Sequence, residues 1–326
     1  MKIDKAGRIL LTGVGGDIGQ SVTGCLLETE YAERLCGCDL DRYAAGRALL
    51  DVFKTAPSVS DRQRYEKFIL RSIAELNLSH IIPLTEGEID YFSLEKRRFE
   101  KLGVKVLVLN RKIIDKFLDK YLTIEYLKAH GFKAPRTYLP EDYRGNLSFP
   151  LLLKDRHSCG GKGLVRVEDQ AAMDFYLRRN PRSIIQELVG TEDEEYTVAV
   201  FSDGKKVLSM AFKRQLGYGS MTKFARLAED PRITRLVTRL ARLCRLVGPM
   251  NVQMRKTKAG FFPFEINPRI SSTVFFRHRF GFHDVKWWLD INHGKTVEYS
   301  PQFSSGVAVR TIGSVFFELK SRPECK

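Results

Sequence analysis

The stretch FFPFEINPRISST, residues 261–273, sets Glu265, Asn267 and Arg269 at alternate positions of an otherwise apolar run. In a strand, residues i, i+2 and i+4 share a face, so an acid, an amide and a guanidinium project together for as long as the strand persists. Pro268 has no N–H for a ladder, which ends the strand there or places it at a sheet edge. The preceding run NVQMRK, 251–256, reads as a partner strand across the turn TKAG, bringing Gln253 toward the same face. One carboxylate and two amide oxygens suit a hard divalent cation such as Mg2+. The plainer reading is the polar outer face of a half-exposed sheet. Solvated faces favour Lys, Glu and Thr, however, and seldom set Asn-Pro-Arg directly behind a Glu. A guanidinium beside a metal cluster can offset charge on a phosphoryl group in transfer.

Upstream, LLLKDRHSCGGKGLVRV (151–167) reads as strand, glycine loop, strand. Gly160, Gly161 and Gly163 let backbone amides turn inward as an anion nest; Lys154 precedes the loop and Lys162 lies in it. The spacing is not GxxxxGK[ST], which excludes a P-loop. By itself the segment reads either as an ordinary hairpin turn or as a phosphate lid. In IIQELVGTEDEEYTVAVF (184–201), a strand ends at Glu187, acids follow, and a second strand opens at Glu195. Those acids read as a solvated turn or as ribose-hydroxyl acceptors. Charge joins the pieces. A carboxylate ~4 Å from a phosphate is repelled by about 4 kcal/mol per charge pair at an effective dielectric near 20. Glu265 therefore faces a nucleotide triphosphate only across a bridging cation.

The rest of the chain is organised around these segments. Residues 8–110 alternate strands (RILLTGV, RLCGCDL, SHIIPLT, VKVLVLN) with amphipathic helices, the rhythm of a parallel sheet covered on both faces. Residues 111–131 read as one helical stretch ending at Gly131. From 150 onward the pattern turns to hairpins, and LGYGSMTKF (216–224) reads as a loop. The fold class expected is α/β plus α+β.

The chain has 326 residues, 43% hydrophobic and 29% charged, with a formal net charge of +15, long enough for two or three packed units. The basic residues are dispersed. In RITRLVTRLARLCRLVG (232–248) they line one helix face as a solvated surface, so nucleic acid is not the expected partner. No run reaches the ~18–20 apolar residues of a membrane span, and the start lacks a secretory core, which points to the cytoplasm. The six cysteines lack CxxC spacing and form no zinc pattern; Cys159 stands out only because it lies in the glycine loop.

The order DKYLT, LLLKDRHSCGGKG, QELVGTEDEEYTV, NVQMR, FEINPR resembles the ATP-grasp superfamily, in particular the branch typified by the large chain of carbamoyl phosphate synthetase. The resemblance reaches to about residue 300. It implies a Rossmann-like pre-ATP-grasp domain over 1–110, a small lobe with the glycine-rich lid over 111–190, a large lobe with the metal site over 191–300, and a C-terminal strand and tail over 301–326. Residue by residue it implies that Lys120 and Lys154 contact ATP phosphates and that Ser158 to Gly163 form the lid. Glu187, Leu188 and Val189 would lie beside adenine, and Glu195 at the ribose. Gln253, Glu265 and Asn267 would hold Mg2+ (or Mn2+), with Arg269 near the phosphoryl acceptor. Ser271, Ser272, Arg277, His278, Arg279, Lys213 and Arg214 are candidates for a basic acceptor pocket, or else ordinary surface polarity.

The activity implied is that of an ATP-dependent carboxylate–amine ligase acting on small molecules, with homodimers common among relatives. Departures are plain: there is one such unit, and no glutaminase portion lies within the chain, so carbamoyl phosphate synthesis is not expected. The alternative is a non-catalytic nucleotide-binding regulator. GVGGDIG (13–19) with Asp39 resembles a dinucleotide fingerprint, but Ile18 stands where GxGxxG wants its last glycine, and no NAD is assigned.

Overall fold

The computed structural model describes residues 7–157, 163–217, 219, 221–299, 305–311 and 313–317. The front of the chain forms strands β1 (Arg8–Thr12), β2 (Leu35–Asp39), β3 (Phe53–Thr55), β4 (Leu78–Ile82) and β5 (Lys105–Val106). Helices α1 (Asp17–Leu27), α2 (Arg62–Leu76) and α3 (Glu86–Lys101) connect them. All four strand pairings are parallel, in the order β3-β2-β1-β4-β5, the doubly wound arrangement in which sites form at the carboxyl ends of the strands. β1 stops one residue before Gly13, whose φ is +63°. A Cβ at Gly13 would stand 2.5 Å from the Thr85 methyl, so only glycine passes the start of α3 this closely.

Residues 111–131 are two helices rather than one, α4 (Arg111–Phe117) and α5 (Lys120–Ala129). The break is made by Asp119. Its carboxylate caps α5 by accepting from the N–H groups of Tyr121 (2.9 Å) and Leu122 (3.1 Å), and an N-cap residue cannot itself be helical.

A small antiparallel sheet follows, built from β6 (Thr137–Tyr138), β7 (Leu151–Asp155), β8 (Val165–Val167) and β9 (Ser183–Glu187), with α6 (Gln170–Arg179) against it. It has its own core of Leu147, Leu151, Leu153, Val167, Met173 and Ile185. The larger sheet contains β10 (Glu195–Asp203), β11 (Val207–Leu216), β12 (Thr222–Ala228), β13 (Val247–Thr257), β14 (Gly260–Asn267) and β15 (Val307–Val309), ordered β14-β13-β10-β11-β12-β15. β12 occupies part of the segment expected as a loop. The amphipathic α7 (Pro231–Cys244) buries Ile233, Val237 and Leu240 and exposes its arginines.

Helices α8 (Val274–Arg279) and α9 (Asp284–Asn292) close the arrangement and tie the large sheet to the front. Tyr31 donates to Asp290 Oδ1 at 2.8 Å, and the Phe275 ring lies against Gly24, where a Cβ would meet it at 3.3 Å. One continuous hydrophobic core runs from the parallel sheet into the large sheet. Among the described residues no helix is long and apolar enough to cross a membrane.

Candidate active site

The decisive hairpin forms as its sequence implies. β13 and β14 pair antiparallel with Gln253 opposite Glu265 and Asn251 opposite Asn267, so all four polar side chains stand on one sheet face. β14 is an edge strand, which is why it tolerates Pro263. The register slips between Gln253 and Met254. This leaves Phe264 as the extra residue of a bulge, a device that re-aims side chains. The strand ends at Asn267, and Arg269 lies just beyond it.

That face is one wall of a cavity of about 740 Å3, within the ~300–1,000 Å3 of small-molecule sites. The facing wall is the small sheet, with Leu152, Lys154 and Gln186; the third side is the front domain, with Gly13, Gly16–Gly19 and Leu84–Glu86. Lys120, Glu187, Val189, Glu195, Arg214, Gln253, Glu265, Asn267, Arg269, Ser271 and Ser272 also line it, so eleven sequence candidates, together with Lys154, converge. Gly163 and Leu188 are not among the lining residues. Ser158, Gly160 and Gly161, like Cys159, lie outside the described residues.

Within the cavity each charge has a defined surrounding. Glu195 is buried, with Oε1 accepting from Arg214 Nε and Nη2 (3.1 and 2.8 Å) and Oε2 from Arg255 Nε (3.1 Å). Arg214 Nη2 also donates to Gln253 Oε1 at 2.8 Å. Asn267 Nδ2 donates to Glu265 Oε1 at 2.9 Å, while Asn251, which lies within 3.5 Å of Asn267, is fixed by its own bond to Thr197 Oγ1 at 2.8 Å. Lys154 is buried with its ammonium 4.9 Å from the Phe264 ring centroid. Burial pushes its pKa down to about 8; Glu265 opposes the shift, and Lys120 adds to it. Arg269 donates to Glu86 Oε1 from Nη2 (2.9 Å) and Nε (3.3 Å), and to the Ile270 carbonyl. Glu86, in the first turn of α3, thus anchors the guanidinium from the front domain.

The donor set fits a hard cation. Oε2 of Glu265 and Oδ1 of Asn267 meet no hydrogen-bond donor among the described residues, and Gln253 Oε1 accepts one bond. Among the described residues no three His, Cys, Asp or Glu side chains form a metal nest. One carboxylate and two amides leave most of a six-oxygen sphere to be supplied by water and substrate phosphate, as Mg2+ prefers.

Several candidates for a basic acceptor pocket belong elsewhere. Lys213 pairs with Glu194 at 2.5 Å: it neighbours Arg214 on β11, and adjacent strand residues face opposite ways. Arg277 is 1% exposed and fully engaged, donating to both Asp284 oxygens, Ser271 Oγ and Thr273 Oγ1. It holds α8 to α9 and does not line the cavity. Arg279 is bound to Glu28, and His278 packs on His283 with its Nε2 3.3 Å from Glu28.

The glycine loop of the front domain is closed by its own chain, since Gly15 N–H donates to Asp39 Oδ2 at 2.8 Å and Gly46 packs so tightly that a Cβ would come within 2.0 Å of the Val14 carbonyl. Arg255 and Asn251 are site residues that sequence reading passed over. Their i, i+2, i+4 relation with Gln253 was the available signal. Glu86 and Asp17 carried none.

Residues 117–273 match the family model described as an ATP-grasp domain. Among curated proteins, the carbamoyl phosphate synthase large chain of Clostridium botulinum (strain Loch Maree / Type A3) is 26% identical over 307 residues, covering 84% of this chain and 28% of that protein. The chain therefore spans well under a third of the length of that relative. Among solved structures, the biotin carboxylase domain of Hydrogenobacter thermophilus 2-oxoglutarate carboxylase, in complex with MgADP, ADP and bicarbonate, aligns with a TM-score of 0.71 at 16% identity. It covers 91% of this chain and 72% of its own. N5-carboxyaminoimidazole synthetase of Staphylococcus aureus, complexed with ADP, aligns at 0.74 and 13% identity, covering 94% and 82%. At these identities the structural likeness establishes the fold: a Rossmann-like domain followed by a two-lobed ATP-grasp unit.

Proposed function

We propose that this chain, which carries an ATP-grasp domain over residues 117–273, is an ATP- and Mg2+-dependent ligase that activates a carboxylate as an acyl phosphate and passes the acyl group to an amine or similar nucleophile. The observation that carries the reading is the meeting of Glu265, Asn267 and Gln253 on one sheet with Lys154 on the facing sheet, across one cavity that Lys120 also lines.

Lys154 and Lys120 hold the phosphates. The backbone from Glu187 to Val189 serves adenine, because the Glu187 side chain is already bound by Arg136. An ionised carboxylate has about four lone-pair sites, so Glu195 can accept ribose hydroxyls while its arginines hold it still. Glu265, Asn267 and Gln253 would hold Mg2+, which when bound screens the repulsion between Glu265 and the triphosphate. In the first half-reaction a carboxylate oxygen of the acceptor attacks the γ-phosphorus of ATP. The bond from that phosphorus to the β–γ bridging oxygen breaks, and ADP leaves. Arg269 faces the charge that develops on the phosphoryl oxygens. In the second, the nucleophile attacks the acyl carbon, inorganic phosphate leaves with the carbon–oxygen bonding pair, and the nucleophile gives up its proton. Positioning and charge suffice for this chemistry, and no nucleophilic side chain is required.

The test is carboxylate-dependent release of ADP by the purified chain, which Glu265→Ala should abolish while the protein stays folded. Unchanged turnover in that variant would sink the assignment.

A further inference from the structure

An amide side chain serves a cation only through its oxygen. Asn267 and Gln253 each end in an oxygen and an NH2 group of nearly equal size, so a neighbour must decide which end faces the cation. For Asn267 the neighbour is an anion: Glu265 Oε1 can only accept, so it takes Nδ2 at 2.9 Å and leaves Oδ1 available. For Gln253 the neighbour is a cation. Arg214 has donors and no acceptor, so its Nη2, 2.8 Å from Gln253, selects Oε1. An amide oxygen has two lone pairs, and the second is left for a metal.

The guanidinium that makes this choice is itself fixed. Arg214 stands on β11 and Gln253 on β13, with β10 between them, so Arg214 reaches across a whole strand. It is 6% exposed. Its Nε and Nη2 grip Glu195 Oε1, and Arg255 holds the other oxygen of Glu195, so the planar fork has one orientation. Gln253 lies directly opposite Glu265 across the β13–β14 pair, where long side chains touch. Its Nε2 makes no bond among the described residues. Freed from Arg214, the amide could turn that NH2 onto Glu265 Oε2, the carboxylate oxygen that meets no donor. A single rotation would then withdraw two oxygens from the metal.

Resting on the ligase reading above, we propose that Arg214 is a positioning residue for the metal: it turns the Gln253 oxygen toward the cation and keeps the Gln253 NH2 off Glu265. Arg214 thus belongs to the metal side of the cavity rather than to a pocket for the acceptor. The sign of the effect is opposite to that of charge alone. Arg214 is a cation beside a cation site, so removing it should by Coulomb's law tighten divalent binding, whereas the loss of a positioning residue weakens it.

The experiment measures ADP affinity of the full chain by calorimetry, in excess Mg2+ and again in EDTA. The ratio of the two affinities is the coupling between nucleotide and metal, and it cancels any change that weakens ADP binding equally in both conditions. Wild type should bind ADP more tightly with Mg2+, and Arg214→Met should lower the ratio by about fivefold or more. Glu195 keeps Arg255 as its countercharge in that variant. Arg214→Gln, which retains a donor for Glu195 but no longer selects an oxygen, should lower the ratio in the same direction and decides the matter if the methionine variant does not fold. In the Gln253→Glu background both ends of the side chain are oxygens, so there Arg214→Met should no longer lower the ratio; a merely structural role for Arg214 would lower it in both backgrounds. A ratio unchanged or raised in the Arg214 variants, or an equal fall in the Gln253→Glu background, would overturn the inference and leave the ligase reading in place. Failure of the wild type to bind ADP, or binding that Mg2+ leaves unaltered, would overturn the ligase reading together with it.

Discussion

Raising the pH should weaken nucleotide binding, and Lys154 sets the size of the effect. Its ammonium is buried between two sheets, and burial takes its pKa from 10.5 to about 8, roughly 3 kcal/mol against the charged form. With that pKa, about nine tenths of the side chain is charged at pH 7, about half at pH 8 and about one tenth at pH 9. Because only the ammonium attracts phosphate, affinity for MgADP should fall about tenfold between pH 7 and pH 9. At pH 8 binding should draw in about half a proton, seen as a dependence of the calorimetric heat on the buffer's protonation enthalpy. Lys154→Arg stays charged throughout, so its affinity should be flat over this range; Lys154→Met should bind weakly at every pH.

Unfolding does not mimic the effect. The folded-state pKa is depressed, so between about 8 and 10.5 the unfolded chain binds the extra proton, and this residue's contribution to stability rises with pH. Binding and stability therefore move in opposite directions. A flat wild-type profile, or an identical decline in Lys154→Arg, would refute the reasoning.

Two further outcomes follow from the ion pairs that frame the site. Glu86→Ala should release Arg269 and lower kcat by about 10–100-fold, the range for small misplacements of a positioned group. Nucleotide KM should hold within about twofold of wild type, and Glu86→Gln, which keeps the accepting oxygen, should recover much of the rate; an unchanged kcat in the alanine variant would show that Glu86 does not position Arg269. Glu195→Gln leaves Arg214 and Arg255 without a countercharge in a buried setting, where breaking a pair costs about 3–5 kcal/mol. Urea unfolding should show a lowered midpoint at constant slope, and a midpoint within error of wild type would count against the ion triad as a stabilising element.

The sequence by itself determined the elements whose signal is local. A period of two along β13 and β14 is enough to put Glu265, Asn267 and Gln253 on one face, since side-chain direction in a strand depends only on residue parity. The alternation of apolar strands and amphipathic helices up to residue 110 likewise settles a parallel sheet, though the three-residue β3 was too short to register. Tertiary structure decided what each charge is for. Arg277 and Lys213 read as pocket bases, yet the fold supplies Asp284 and Glu194 as partners and places neither cation on the cavity wall. Glu86 and Asp17 carry no motif. They reach the site because the carboxyl ends of β1 and β4 point their following loops at the large sheet, and such a meeting of residues far apart in sequence is fixed by packing between domains, which no spacing along the chain encodes.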